Sequence, residues 1–159
     1  MDVKRFSHEI TIAKIDSALR VIKGPLLRPG IRDRQGSMVS REVILAAGHD
    51  YMLRYRKGET TTGFMHKDFE DADERFPLVE LYITDVDMTI PRTERLLVKG
   101  ETGEGDIEVP AGSLMAAVKV NDDAVWAAVL NGTCKGFSIG GYALVVPTDE
   151  DGNVLEAAA

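Results

Sequence analysis

The sequence predicts a strand-dominated α+β protein, with an antiparallel or mixed sheet curled into a barrel and helices at its periphery. Three observations lead to this fold class: most apolar segments alternate with a period of two, only two segments have a helical period, and strands and helices do not alternate strictly. The 159 residues suit one domain with a real hydrophobic core. We expect that domain over residues 1–147 and a disordered acidic tail over residues 148–159.

In the first half of the chain, two strands precede a helix. Residues 10–15 and 20–27 carry alternating apolar side chains, and Pro25 predicts that the second strand is bent or lies at a sheet edge. Ser40 can cap a helix whose first turn contains Glu42. The residues at helical spacing that should form its buried face are Ile44, Ala47, Gly48, Tyr51, Met52 and Tyr55.

The second half predicts further strands and one short helix. The strand segments are residues 78–86, with Val79, Leu81 and Ile83 facing inward, residues 114–120, and a run that begins at Gly136. Residues 89–110 are charged and rich in glycine, which predicts a long loop. A short helix should follow Asp122 and stop at Gly132. Its inward face is predicted to consist of Val125, Trp126, Val129 and Leu130.

Charge and composition exclude several classes of function. Nineteen basic against 26 acidic residues give a formal charge of −7, so no basic face remains for nucleic acid. No apolar run approaches the length of a membrane span, and the N-terminus has no signal-peptide core. The single cysteine, Cys134, fits a reducing compartment. The histidines His8, His49 and His66 have no metal-ligand spacing, so we expect a soluble cytoplasmic protein without metal or cofactor.

The stretch Gly136-Phe137-Ser138-Ile139-Gly140-Gly141 sets a hydroxyl among glycines at the start of an apolar run. A serine nucleophile needs space for a substrate and nearby main-chain N–H groups for the oxyanion, which Gly140 and Gly141 could supply. Such glycines also occur at bulges and close backbone contacts, and this structural role stays open. The spacing Gly136-x-Ser138-x-Gly140 matches that of a nucleophile elbow, which requires strand, turn and helix in that order. Here the order is helix, turn, strand, and no histidine follows Ser138.

The base for Ser138 would have to lie upstream in the chain. His8 falls in the ragged N-terminus and His49 on an exposed part of the first helix, whereas His66 sits where a loop meets the segment before a strand. For the acid that would orient the base we choose Glu80, because strands seldom place a carboxylate between apolar residues unless that face is wet or paired. The competing acids are Asp68, Asp85 and Asp87.

An ordered set of segments over about residues 10–146 resembles the XkdF-like phage serine proteases. The segments are Asp33-Arg34-Gln35-Gly36, Ala46-Ala47-Gly48-His49-Asp50-Tyr51-Met52, His66, Val79-Glu80, Gly112-Ser113-Leu114, Val118-Lys119-Val120, Val125-Trp126 and the Ser138 stretch. These proteins are relatives of the prohead maturation proteases of tailed phages, which are similar in fold to the herpesvirus capsid proteases. The sequence departs from the family at Leu114, where a bulky aromatic is expected, and in the long loop of residues 89–110.

The resemblance implies a serine endopeptidase that trims scaffold and major capsid proteins inside the immature phage head, in the host cytoplasm. By position, Ser138 would be its nucleophile and His66 its base, while Glu80 is not carried over with the same weight. A homodimer or higher homo-oligomer stays open. Two other functions also remain: a catalytically inactive capsid-assembly or scaffold-binding protein of the same fold, and a cysteine hydrolase using Cys134, a predicted half-buried loop thiol.

Overall fold

The computed structural model describes residues 2–31, 38–59, 72–91, 106–134 and 136–145, and of residues 2–11, 72–73 and 136–145 it describes the backbone. The elements in chain order are β1 (Asp2–Thr11), β2 (Lys14–Asp16), β3 (Val21–Leu27), α1 (Arg41–Arg56), α2 (Ala72–Arg75), β4 (Leu78–Ile83), β5 (Met88–Ile90), β6 (Ile107–Val109), β7 (Leu114–Lys119), α3 (Asp123–Leu130) and β8 (Gly136–Val145).

The strands form three antiparallel sheets, which confirms the α+β, strand-rich fold class. One sheet has four strands in the order β2-β3-β7-β4, and two sheets have two strands each, β1-β8 and β5-β6. β1 also approaches β3, but the β1-β8 ribbon remains a sheet of its own. Within the described part of the chain these sheets do not close into a barrel.

β7 is the central strand of the protein. It pairs with β3 on one side and β4 on the other, and its first five residues are buried. Strands covered on both faces read as continuous apolar runs, and Ala116 and Ala117 in the middle of β7 leave room for what packs above and below them. The rest of the fold is therefore assembled on the two faces of this strand.

Each face of the four-stranded sheet carries its own hydrophobic cluster. The cluster on one face joins β3 and β7 to both long helices, through residues that include Ile22, Val118, Tyr51 and Trp126. On the opposite face the β5-β6 hairpin supplies Ile90 and Val109, which pack with Ala13 and Met115. Met115 and Ala116 are neighbours in β7 but belong to opposite clusters, as the alternation of a strand requires.

Helix α1 begins as the sequence predicts. The Ser40 hydroxyl accepts a hydrogen bond from the Val43 N–H at 3.3 Å and caps the helix. Its buried stripe is Ile44, Gly48 and Tyr51, which is narrower than predicted. Gly48 packs so closely on β7 and β4 that a Cβ there would lie 3.0 Å from Leu114 Cδ1 and 3.4 Å from Ile83 Cδ1. The predicted inward position of Ala47 is wrong: it is exposed, because the helix meets the sheet along one line of residues.

Helix α3 also has the predicted start and stop. The Asp122 carboxylate accepts a hydrogen bond from the Val125 N–H at 2.9 Å, and Gly132 adopts a positive φ of 81° just after the helix. That N–H and the Arg75 guanidinium hold the pKa of Asp122 below its ordinary value. Trp126 and Val129 are buried as predicted, but Leu130 is exposed, so the inward face is smaller than the sequence indicated.

Several predicted segment boundaries are corrected by long-range pairing. The predicted strand at residues 10–15 is divided, because Ile12 and Ala13 leave the ladder and enter opposite clusters. His8 lies inside β1 rather than in a ragged terminus. Pro25 coincides with a register shift between β3 and β7, in agreement with the predicted bend. It also lies past the last β2-β3 pair, Lys14 with Lys23.

Two further corrections concern β4 and the predicted long loop. A register shift between Leu78 and Glu80 leaves Val79 without a direct partner on β7, and Val79 is 48% exposed instead of inward. Residues 89–110 begin and end in the antiparallel β5-β6 pair, so this segment is a long hairpin with a buried base. The middle of the segment, residues 92–105, and the tail, residues 148–159, lie outside the described residues.

Candidate active site

Ser138 lies in β8, in a regular strand paired with β1. The ladder runs without a register shift from the pair Asp2 and Val145 to the pair Thr11 and Gly136, and Glu9 stands directly opposite Ser138. A nucleophile elbow would place the serine in a sharp turn between a strand and a helix. The strand geometry therefore agrees with the rejection of that motif from sequence.

The register separates His8 from Ser138. His8 is opposite Ile139, one position away from the Glu9 and Ser138 pair. Adjacent residues of a strand project to opposite faces, and directly opposite residues of an antiparallel pair share a face. His8 and Ser138 thus belong to opposite faces of the ribbon, which excludes His8 as the base for this serine.

The two candidate oxyanion donors are not equivalent. Gly140 pairs with Ser7 and Gly141 with Phe6, both inside the continuous ladder. In an antiparallel pair the N–H groups of successive residues alternate between the partner strand and the opposite edge. One of these two glycines therefore donates its N–H to β1, and only the other presents its N–H at the edge of β8 that faces away from β1.

Glu80 is engaged in an ion pair on the sheet. Its carboxylate is 48% exposed, and Oε2 lies 3.3 Å from Lys23 Nζ, which itself stands 4.8 Å from the centroid of the Tyr82 ring. Burial alone would lower the pKa of Lys23, but its contacts with Tyr82 and Glu80 outweigh burial and raise it. Lys23 and Glu80 flank the buried Ala117 of β7 from the two neighbouring strands. The face that carries Glu80 is thus both wet and paired, the two conditions under which a strand carboxylate is expected.

The remaining histidines and acids divide between described and undescribed parts of the chain. His66 and Asp68 lie outside the described residues. His49 is exposed on α1, as the sequence predicts. Asp85 is exposed, and Asp87 accepts a hydrogen bond from the Ala111 N–H at 2.8 Å, so its carboxylate fixes the end of the β5-β6 hairpin.

Cys134 and Ser113 are buried, and their surroundings indicate structural roles. Cys134 is 2% exposed within the helix-side cluster, so it is fully buried and not the predicted half-buried loop thiol. A buried thiol in apolar surroundings is a poor nucleophile. Ser113 is fully buried, and its hydroxyl donates to the Pro110 carbonyl at 2.6 Å. In the sequence Ser113 appears only as part of the family segment Gly112-Ser113-Leu114, and its position between Gly112 and an apolar strand indicates a turn.

An open groove of about 470 Å³ lies beside the start of α1. Its lining includes Met38, Arg41, Asp87 and Pro110. The Arg41 side chain covers Gly112, where a Cβ would approach Arg41 Nε to 2.6 Å. Two polar groups of this groove have structural partners, because Asp87 is bonded to the Ala111 N–H and Ser40, also in the lining, caps α1.

The described residues contain neither a metal-binding cluster nor a membrane-spanning helix. Among the described residues, no group of three or more His, Cys, Asp or Glu side chains could hold a metal ion. The helices of the described ranges are all too short or too polar to cross a membrane.

Comparison with known proteins gives one match. Residues 9–147 match the sequence model of the family described as "Putative phage serine protease XkdF". The match spans most of the 159 residues and includes Ser138, His66 and Glu80. The chain has no significant match to a curated protein or to a solved structure.

Proposed function

This chain belongs to the XkdF family of phage serine proteases, and on that premise we propose that it is a serine endopeptidase with Ser138 as nucleophile and His66 as general base. The family match over residues 9–147 is the observation that carries the proposal. The position of Ser138 supports it: the serine stands in β8 between Gly136 and Gly140, two residues without a side chain.

In the proposed mechanism, His66 accepts the proton of the Ser138 hydroxyl while the serine oxygen attacks the peptide carbonyl carbon. The carbonyl oxygen becomes an oxyanion, which the outward N–H of Gly140 or Gly141 stabilises; losing one such donor typically costs about 3 kcal/mol of barrier. His66 then gives its proton to the leaving amine, and water hydrolyses the acyl-serine by the same steps. A carboxylate, for which Glu80 is a candidate, holds the imidazole in the required tautomer.

We propose scaffold and major capsid proteins as substrates, cut inside the assembling prohead in the host cytoplasm. The proposal includes a homo-oligomeric protease whose sheet closes into a barrel like that of the herpesvirus capsid proteases. The contact of β1 with β3 supports the last point, because it brings the β1-β8 ribbon next to the four-stranded sheet. The domain would end near residue 147, and residues 148–159 would be a dispensable tail.

Co-expression with the scaffold and capsid proteins of the same phage, followed by intact-mass analysis, tests the proposed function. The parent should yield defined fragments, and Ser138→Ala should yield none while folding normally, because loss of one hydroxyl beside glycines creates almost no cavity. Ser17→Ala removes a hydroxyl from an exposed turn and is the matched control, which should cut as the parent does. Cleavage by Ser138→Ala at the parent rate would show that Ser138 is structural.

The second candidate is a catalytically inactive capsid-assembly or scaffold-binding protein of the same family. The ion pair between Glu80 and Lys23 favours it, because a carboxylate already held by a lysine is not free to orient a histidine. A fluorophosphonate probe separates the two functions. Labelling of Ser138 in the parent, lost in His66→Ala, supports the protease; a parent that stays unlabelled while binding scaffold supports the assembly protein.

A further inference from the structure

The register of the β1-β8 ribbon defines which residues surround Ser138. The positions on its face of the ribbon are the pairs Gly136 with Thr11, Ser138 with Glu9, and Gly140 with Ser7. The pairs in between, which occupy the other face, are Phe137 with Ile10, Ile139 with His8, and Gly141 with Phe6. Around the serine, the ribbon thus has a polar face that carries Ser138 and a largely apolar face that does not.

Glu9 is the one charged residue among these positions on the polar face. Directly opposite residues of an antiparallel pair have Cβ atoms about 5 Å apart, so the Glu9 position is as close to Ser138 as any cross-strand neighbour can be. The next charged residue of β1 on this face is Arg5, opposite Tyr142. At roughly 3.4 Å per residue it is about 13 Å along the strand from Glu9, beyond the Debye length of about 8 Å at physiological salt.

Along β8 the two neighbours of Ser138 on this face are glycines. The register positions on this face of β8 to either side of Ser138 are Gly136 and Gly140, which have no side chain. A peptide whose carbonyl carbon lies at the serine has its flanking side chains within a few ångströms of that point. The residue type that gains most from an adjacent carboxylate is a cation, through a charge-assisted hydrogen bond.

We propose that Glu9 is a specificity-determining residue that selects substrates with a lysine or arginine directly beside the scissile bond. The inference rests on the proposed role of Ser138 as nucleophile, and it names the substrate class of that same site. Acidic residues at this substrate position are disfavoured by like-charge repulsion, and neutral ones lack the hydrogen bond. Charge-assisted hydrogen bonds correspond to a preference of about 10-fold or more in kcat/KM for cationic over neutral residues.

Two pools of peptides test the proposal, one with Lys and one with Glu fixed at the centre and the other positions randomised. Binding of each pool is measured with Ser138→Ala, which cannot turn over, and cleavage is measured with the parent. We expect the Lys pool to bind about 10-fold more tightly than the Glu pool and to be cut faster. Glu9→Gln should abolish both differences, and Glu9→Lys should reverse them. Glu42→Gln, which removes an exposed carboxylate on α1, should change neither.

The outcomes separate the specificity of Glu9 from the protease activity itself. Preferential binding of the Lys pool that depends on Glu9, without cleavage by the parent, overturns the proposed function and leaves Glu9 as a residue that selects cationic peptides for binding only. Cleavage of both pools alike by the parent overturns the inference and leaves the protease. A Glu9→Gln variant that cuts both pools more slowly by the same factor, with the preference kept, also overturns it, because Glu9 then acts on the chemistry and not on substrate choice.

Discussion

Replacing Thr84 with valine tests whether the buried polar turn before β7 stabilises the domain. Thr84 is 5% exposed, and its hydroxyl donates to the Pro110 carbonyl at 3.0 Å and accepts from the Ser113 N–H at 3.1 Å. The Ser113 hydroxyl donates to the same Pro110 carbonyl. These bonds hold the end of the β5-β6 hairpin against the start of β7, so losing them should weaken that contact.

The size of the destabilisation in Thr84→Val depends on the hydrogen-bond partners that remain. In Thr84→Val the Ser113 N–H keeps its 3.2 Å hydrogen bond to the Pro110 carbonyl, so it does not become a buried donor without an acceptor. The loss is then two ordinary hydrogen bonds in a shape-conserving change, about 1–3 kcal/mol of unfolding free energy. For a domain of this size that corresponds to a fall of roughly 2–12 °C in Tm.

Urea and thermal unfolding of three variants measure this effect. Thr84→Ser keeps the hydroxyl and loses only a methyl group, so it should cost about 1 kcal/mol. Thr84→Val combined with Ser113→Ala should be more destabilised than the sum of the two single changes, because in each single variant the remaining hydroxyl still donates to the shared Pro110 carbonyl. The reasoning is refuted if Thr84→Val unfolds at the same urea concentration as the parent.

Three other expectations concern the candidate site and the helix caps. His66→Ala should stop scaffold cleavage in co-expression while His49→Ala, on the exposed face of α1, keeps most of it; the reverse result would move the base to α1. Iodoacetamide should leave cleavage unchanged and react with Cys134 only on unfolding, since the thiol is 2% exposed; rapid alkylation of the native protein would contradict its burial. The pKa of Asp122 is lowered in the fold, so its stabilising contribution is complete above its ordinary pKa of 3.8 and is lost as the pH falls below that value. The difference in unfolding free energy between parent and Asp122→Asn should therefore shrink on acidification below about pH 4, and a constant difference would refute the lowered pKa of Asp122 in the folded protein.

The elements that the sequence predicted correctly are those fixed by local interactions. Ser40 and Asp122 cap their helices with bonds to N–H groups three residues away, and Gly132 ends α3 with its own positive φ. The apolar run at residues 114–120 predicted a strand, which the structure forms as β7 and buries on both faces. The helix caps and the stop at Gly132 do not depend on a distant part of the chain.

The candidate site was predictable only in its residue types. A hydroxyl among glycines pointed to Ser138, and the ordered motifs gave the family that the comparison confirms. Glu80 was predicted as the acid because it is a carboxylate among apolar neighbours in the sequence. Its ion pair with Lys23 could not be predicted, because Lys23 lies on another strand. It likewise could not relate Glu9 to Ser138, since the two are neighbours only through the β1-β8 register.

The sequence by itself thus determined where the two capped helices start and which residue types could carry chemistry. Tertiary structure alone decided that Asp2–Thr11 is a strand, that Val79 is bulged out of β4, and that residues 89–110 close a hairpin. The reason is physical: a strand has no hydrogen bonds of its own, so its existence, register and facing depend on a partner supplied by a remote segment, whereas a helix satisfies its backbone within a few residues.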